Sequence, residues 1–225
     1  MPVVALFRIA ALTILLSGCA NLFRADFETD TPGQPPAASP PGPPAGDSIS
    51  NGPAEVFFVS AEDAISGNQS LAIREPAANL DRGANTATFR TAEINDGDAP
   101  IYITWRGYFP SDQGGVRINA GILGQSFGNV TFENGQIFVM FDTPVGTYAA
   151  GDGHTVIISL FPASQTFRLA VVGEATLDED FVEANMTPIN GQPSNEAFVE
   201  FTPTASTALR RVYVLDDATI SYSEP

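Results

Sequence analysis

The 225-residue chain has no lysine, one cysteine, one histidine and one tryptophan, and each scarcity removes a class of chemistry. A single cysteine excludes a disulfide framework. A single histidine, His154, excludes a histidine-rich zinc site. A Ser-His-Asp triad would need it beside an activated serine, and no Gly-x-Ser-x-Gly elbow accompanies it. Ten arginines form the whole basic complement against 26 acids, giving a net charge of −16. A chain so acidic lacks the basic face that displaces counterions from phosphates, so no nucleic-acid partner is expected. Helical periodicity is missing too: beyond the N-terminal region no segment sustains it over about ten residues, apart from a short turn near 178–185.

What the chain does have is an apolar fraction of 44%, enough for a real core, in short runs rich in β-branched and aromatic residues. The pattern predicts strands over 54–60, 69–74, 85–93, 100–109, 116–123, 129–132, 136–141, 154–161, 166–173, 197–201 and 209–222. Turn signals separate them, among them Ser66-Gly67-Asn68, Asn134-Gly135 and Gly151-Asp152-Gly153. The expected fold class is all-β, an antiparallel two-sheet sandwich or barrel.

The N-terminus carries a different signal. Arg8 precedes an apolar run, Ile9 to Leu16, that ends in Leu16-Ser17-Gly18-Cys19. Eight residues are too few to span a hydrocarbon core of about 30 Å, so the run reads as a signal-peptide core. The segment resembles the lipobox of bacterial lipoprotein precursors. That resemblance implies a signal peptide over 1–18, Cys19 as an acylated mature N-terminus, and the lipid bilayer as a partner; several acyl chains anchor stably where one is marginal. Ala20 after the cysteine implies, by the same resemblance, the outer membrane, with the domain facing the periplasm or the cell exterior. The mature charge would be 9 − 26 = −17, so attachment would come from the acyl chains and not from anionic lipid. Residues 19–25 read as a lipidated tether and 26–225 as the sandwich, with a Pro-rich surface loop over 31–46 that holds seven prolines.

Period-two alternation sorts candidate site residues. Ile101, Ile103, Trp105 and Phe109 share one face of their strand, and Tyr102, Thr104, Arg106 and Tyr108 the other; Val116, Ile118, Ala120 and Ile122 likewise oppose Arg117 and Asn119. Tyrosine rings stack on sugar C–H faces and planar Arg and Asn groups read hydroxyls, which makes Tyr102, Arg106, Tyr108, Arg117 and Asn119 the candidate ligand-binding residues. An ordinary solvated sheet carries the same residue types.

Asp26-Phe27-Glu28, Ser66-Gly67-Asn68-Gln69-Ser70-Leu71, Gly153-His154-Thr155-Val156-Ile157-Ile158, Phe167-Arg168-Leu169-Ala170-Val171 and the closing Val212 to Ile220 together resemble the concanavalin A-like lectin/glucanase jelly rolls and related carbohydrate-binding modules. The resemblance implies a jelly-roll sandwich whose first and last strands are neighbours, with a structural calcium on Glu28, Asp216 and Asp217. It says little about activity, since such sandwiches host lectins, hydrolases and lyases alike. The nearest approach to a glucanase acid motif, Asp178-Glu179-Asp180-Phe181-Val182-Glu183, lies in a polar connection, and the lysine used by jelly-roll lyases is absent. The expected function is a non-catalytic, lipid-anchored carbohydrate-binding domain. The alternatives are a structural component that docks another envelope protein and a glycan-cleaving enzyme.

Overall fold

The computed structural model describes residues 21–38, 48–50, 52–76, 85–94, 98–190, 194–204 and 210–225. The expected signal peptide, Cys19 and residues 39–46 of the Pro-rich stretch lie outside them.

Strands run in chain order as β1 (Asn21–Ala25), β2 (Ser48–Ser50), β3 (Phe57–Ser60), β4 (Ser70–Arg74), β5 (Ala87–Glu93), β6 (Ile101–Tyr108), β7 (Gly115–Ile122), β8 (Ser126–Glu133) and β9 (Gln136–Val139). They continue as β10 (Thr143–Thr147), β11 (Gly153–Phe161), β12 (Thr166–Gly173), β13 (Thr176–Leu177), β14 (Val182–Asn185), β15 (Thr187–Pro188), β16 (Glu196–Pro203) and β17 (Arg211–Ser221). One sheet has eight strands in the order β14-β12-β11-β6-β17-β4-β3, with β1 also paired to β17. The other has nine, β13-β10-β9-β8-β7-β16-β5-β2, with β15 added to β8. All pairings are antiparallel, and the two sheets enclose one core: an antiparallel jelly-roll-like sandwich.

The alternation read from the sequence is what the sandwich uses. Ile101, Ile103, Trp105 and Phe109 are buried, as are Val116, Ile118, Ala120 and Ile122, because each sheet turns every second residue toward the other sheet. Aromatic rings fill the two ends of the core. At one, Phe23 stacks on Phe89 at 5.4 Å, and Phe201 sits between Phe89 and Trp105. At the other, Phe109 lies 3.8 Å from Tyr148 and 4.7 Å from His154, beside Phe132 and Tyr213.

Two boundaries differ from expectation. The supposed tether 19–25 is, from Asn21 onward, strand β1, hydrogen-bonded along β17 with Asn21 opposite Ser221 and Ala25 opposite Ala218. Phe23 and Ala25 face the core, which decides the matter: in water each would forfeit its burial. Asp26-Phe27-Glu28-Thr29, the expected start of the 26–225 sandwich, is instead the turn that leaves β1, with Phe27 at a positive φ of 59°. Farther on, Gly33 and Gln34 bond the backbone of Val59, so this stretch runs along the edge of β3.

The last strand is also irregular. Register against β6 slips between Asp216 and Thr219, and Asp217 occupies the left-handed region at φ 50°. This bulge sends Asp216 into full burial while Asp217 stays partly exposed and meets Arg106 at 3.5 Å.

Candidate functional site

The five candidate ligand residues do not share a face. Tyr102, Arg106 and Tyr108 project from β6 on the outside of the eight-stranded sheet, whereas Arg117 and Asn119 project from β7 on the outside of the nine-stranded sheet. A sandwich places its two outer faces back to back, so the set divides into two separate surfaces; alternation reveals which side of its own strand a residue takes but not which sheet the strand joins.

On the eight-stranded side, the residues are already engaged with the protein. Tyr108 donates its hydroxyl to Asp63 Oδ1 at 3.1 Å, and burial raises its pKa. Asp63 also accepts from Ser60 and is clamped by Arg211, while Arg106 faces Asp217. Arg106 and Tyr108 line a cleft of about 460 Å³ with Ala64, Ile65 and His154, and Tyr102 belongs to a different one with Phe181 and Arg168.

Beneath the first cleft the polar chemistry is structural. Trp105 Nε1 can only donate, and does so to Tyr213 Oη at 2.8 Å; the same hydroxyl lies 2.8 Å from His154 Nε2. His154 Nδ1 in turn gives its hydrogen to the Asp152 carbonyl at 3.3 Å. A carbonyl only accepts, so in the neutral ring Nδ1 carries the hydrogen and Nε2 accepts from Tyr213, and burial holds the imidazole pKa down at about 4. Burial also drives the Tyr213 hydroxyl strongly upward. His154 is thus a core residue with both nitrogens satisfied, not a base awaiting a substrate.

The outer face of the nine-stranded sheet has a different character. Thr88 on β5, Glu200 on β16, Asn119 on β7 and Asn129 on β8 stand opposite one another in register, a single polar row across four strands. Asn129 Nδ2 donates to Asn119 Oδ1 at 2.7 Å, and Asn119 Nδ2 donates to Glu200 Oε1 at 3.1 Å. Thr131 adds a longer contact to Asn129. Although these side chains point away from the core, Thr88 and Thr131 are each only 5% exposed and Asn129 is fully buried. Neighbouring side chains and the 186–190 segment shelter them; Ile189 bonds the Gln125 carbonyl at 2.7 Å and walls that side.

The next row along the sheet pairs Arg90, Phe198, Gly121, Phe127 and Thr187. Gly121 separates the two phenylalanines, and any side chain there would strike the Ser126–Phe127 backbone. The result is a cleft of about 270 Å³ floored by Asn119 and Glu200 and lined by Thr88, Arg90, Phe127 and Phe198. Small-ligand clefts of roughly 300–1,000 Å³ typically combine apolar walls with a few fixed polar groups, and this one is slightly smaller than that range.

The expected calcium residues are gathered by one loop. Glu28 Oε1 accepts from the backbone amides of Asn68 and Gln69 and Oε2 from Asn68 Nδ2; these hydrogen bonds, the Asn68 amide first, hold its pKa below the ordinary glutamate value. Asp216 accepts from Ser66 N, Ser66 Oγ, Ser70 Oγ and Asp217 N, while burial pushes its pKa up. Ser66 Oγ also reaches Asp217 at 2.8 Å. The Asp216 and Asp217 carboxylates share the one Ser66 hydroxyl, and among the described residues no three His, Cys, Asp or Glu side chains are grouped to hold a metal. This donor-loaded arrangement does not fit a calcium shared by all three acids.

No family model and no curated protein matches the chain. Solved structures do. An endo-β-1,4-glucuronan lyase from Trichoderma reesei aligns at 10% identity over 90% of this chain and 96% of its own, with a TM-score of 0.52. Cellulose induced protein Cip1 gives 13%, 89%, 97% and 0.53, and lectin II from Ulex europaeus 11%, 89%, 98% and 0.51, in the same order. The chain spans only about half (48%) of a matched botulinum neurotoxin serotype D binding domain and 17% of a sialidase. The fold is a lectin-like jelly roll.

Of the residues at this cleft, sequence reasoning singles out Asn119, with Arg117 on the row beyond it, and does not single out Thr88, Arg90, Phe127, Phe198 or Glu200. The alternation of β5, β8 and β16 marks these as outward, yet only the strand order β8-β7-β16-β5 brings distant segments into one cleft. The acid run is no catalytic pair: Asp178, Glu179 and Asp180 are exposed in a bend, and Glu183 on edge strand β14 pairs with Arg168 at 3.3 Å.

Proposed function

We propose that this protein is a non-catalytic carbohydrate-binding module of a bacterial envelope, anchored through acylated Cys19, which binds glycan on the outer face of its nine-stranded sheet. The observation that carries the reading is the in-register Thr88–Glu200–Asn119–Asn129 row flanked by Phe127 and Phe198. Amide and carboxylate groups held in place by one another suit a ring of hydroxyls, because they need no reordering when a sugar arrives. Phenyl faces beside them suit sugar C–H surfaces. Arg117, over the Phe141 ring at 5.9 Å, extends the same face. The lectin named among the structural neighbours supports the fold's suitability, and the residues supply the specific argument.

The anchor follows from the lipobox resemblance. Only Ala20 separates Cys19 from β1, about 7 Å of chain at full extension, so an acylated Cys19 holds the sandwich against the bilayer surface. Labelling with a clickable fatty acid tests this: wild type takes the label, and a Cys19→Ala protein that still labels overturns it.

The binding assignment is tested by a glycan screen of the full chain in detergent. Selective binding that survives Tyr102→Ala and is lost in Asn119→Ala, in a variant that still unfolds cooperatively above the assay temperature, supports the nine-stranded face. Loss through Tyr102→Ala alone moves the site to the other sheet. Silence toward every glycan overturns the carbohydrate reading in favour of a protein-docking role.

A further inference from the structure

Among the described residues the eight arginines divide sharply. Arg24, Arg106, Arg168, Arg210 and Arg211 each face a carboxylate. That is the expected fate of scarce cations in a chain of net charge −16. Arg74 instead lies over the Phe58 ring at 4.7 Å, a contact that Arg117 makes only at a longer 5.9 Å with Phe141. The other two without an acidic partner, Arg90 and Arg117, both stand on the outer face of the nine-stranded sheet, one on each side of the Glu200–Asn119 row. Arg90 lines the cleft, and its Nε is buried with no hydrogen-bond partner. Glu200, the nearest acid in the row, is taken by Asn119 and forms no ion pair with either arginine.

We infer that the glycan bound on this face is an acidic polymer, bearing carboxylate or sulfate groups that Arg90 and Arg117 neutralise; this rests on the carbohydrate reading above. Leaving a guanidinium unpaired among so many acids, with one nitrogen already out of water, is wasteful unless an anion completes it. Spacing makes the ligand a chain and not a single sugar. Arg90 aligns through Phe198 with Gly121, four residues along β7 from Arg117 and two strands away. Strand spacing of about 4.8 Å and a rise of about 3.4 Å per residue put their Cα atoms roughly 17 Å apart, and with the Arg90 Nε held buried in its cleft a run of sugars spans the pair better than one ring does. The polymer would cross the sheet obliquely, its acidic groups on the two arginines and its hydroxyls on Asn119 and Glu200. The protein's remaining acids oppose this little at physiological salt, where charges more than about 8 Å away are largely screened.

The test is affinity electrophoresis and calorimetry of the full chain against polygalacturonate, a sulfated galactan and a neutral glucan, with Arg90→Gln, Arg117→Gln, Arg90→Lys and Asn119→Ala. The expected result is retention by one of the acidic polymers, weakened at least tenfold in each Arg→Gln protein and partly kept in Arg90→Lys. Competition by an acidic oligosaccharide and none by its monomer is also expected. Which polymer is retained distinguishes carboxylate from sulfate. Retention by the neutral glucan alone, indifferent to the arginine substitutions but lost in Asn119→Ala, overturns the acidic ligand and leaves the carbohydrate reading intact. Retention by none of the three, together with a silent glycan screen, overturns both.

Discussion

Acidification from pH 7 to pH 5 is expected to weaken this fold through His154. In the unfolded chain the imidazole titrates near 6.5, and in the folded protein burial lowers that to about 4. The folded pKa is the depressed one, so between these values the unfolded chain binds the extra proton, and stability falls as pH falls through that window. At 1.36 kcal/mol per pH unit the full gap is worth about 3 kcal/mol, of which about 2 kcal/mol is lost by pH 5. Two carboxylates with shifted pKa values titrate alongside it, in opposite directions. Glu28, with its lowered pKa, loses its contribution only at more acid pH, and Asp216, with its raised pKa, acts in the opposite sense. Urea unfolding at pH 7 and pH 5, comparing wild type with His154→Phe, isolates the effect. The variant is less stable at pH 7 by about 1–3 kcal/mol, because the Tyr213 hydroxyl loses its acceptor, but it should lose much less than wild type on acidification. An equal loss in both proteins would refute the neutral, buried imidazole.

Three further outcomes follow from the packing. A protein that begins at residue 26 lacks β1 and uncovers the surface beneath Phe23, which is fully buried and stacked on Phe89; one such side chain contributes about 2–3 kcal/mol. Circular dichroism should report a melting temperature at least several degrees lower than that of a protein beginning at Asn21. Gly107→Ala puts a methyl group onto the Tyr213 hydroxyl and 2.9 Å from His154 Nε2, so it should cost about 1–3 kcal/mol in urea and disturb near-ultraviolet dichroism, whereas Gly153→Ala, with open space around it, should not. Because the Ser66–Ser70 loop already satisfies Glu28 and Asp216, a chelator should leave the melting temperature unchanged while Ser66→Ala lowers it; a chelator-sensitive melt would overturn this reading.

The residue pattern alone determined the fold class and most of the strands. Period-two alternation is a local property, so the buried sides of β6 and β7 could be read directly from Ile101 to Phe109 and Val116 to Ile122. Absence was equally informative: one cysteine, one histidine and no lysine left little room for disulfides, zinc sites or lysine-dependent lyase chemistry. The sequence could not reveal that Asn21–Ala25 is the first strand, since five residues beside a lipobox look like a tether until β17 supplies their partner. Nor could it foresee the bulge at Asp217, which separates the roles of two adjacent aspartates. The candidate site depended most on tertiary structure. Thr88, Asn119, Asn129 and Glu200 are scattered over more than half the chain, and only strand order and register, set by the burial of the opposite faces, make them neighbours. Alternation gives each residue a side of its strand; the way the strands are dealt between two sheets decides whose company it keeps, and that placed Tyr102 and Asn119 on opposite surfaces of the molecule.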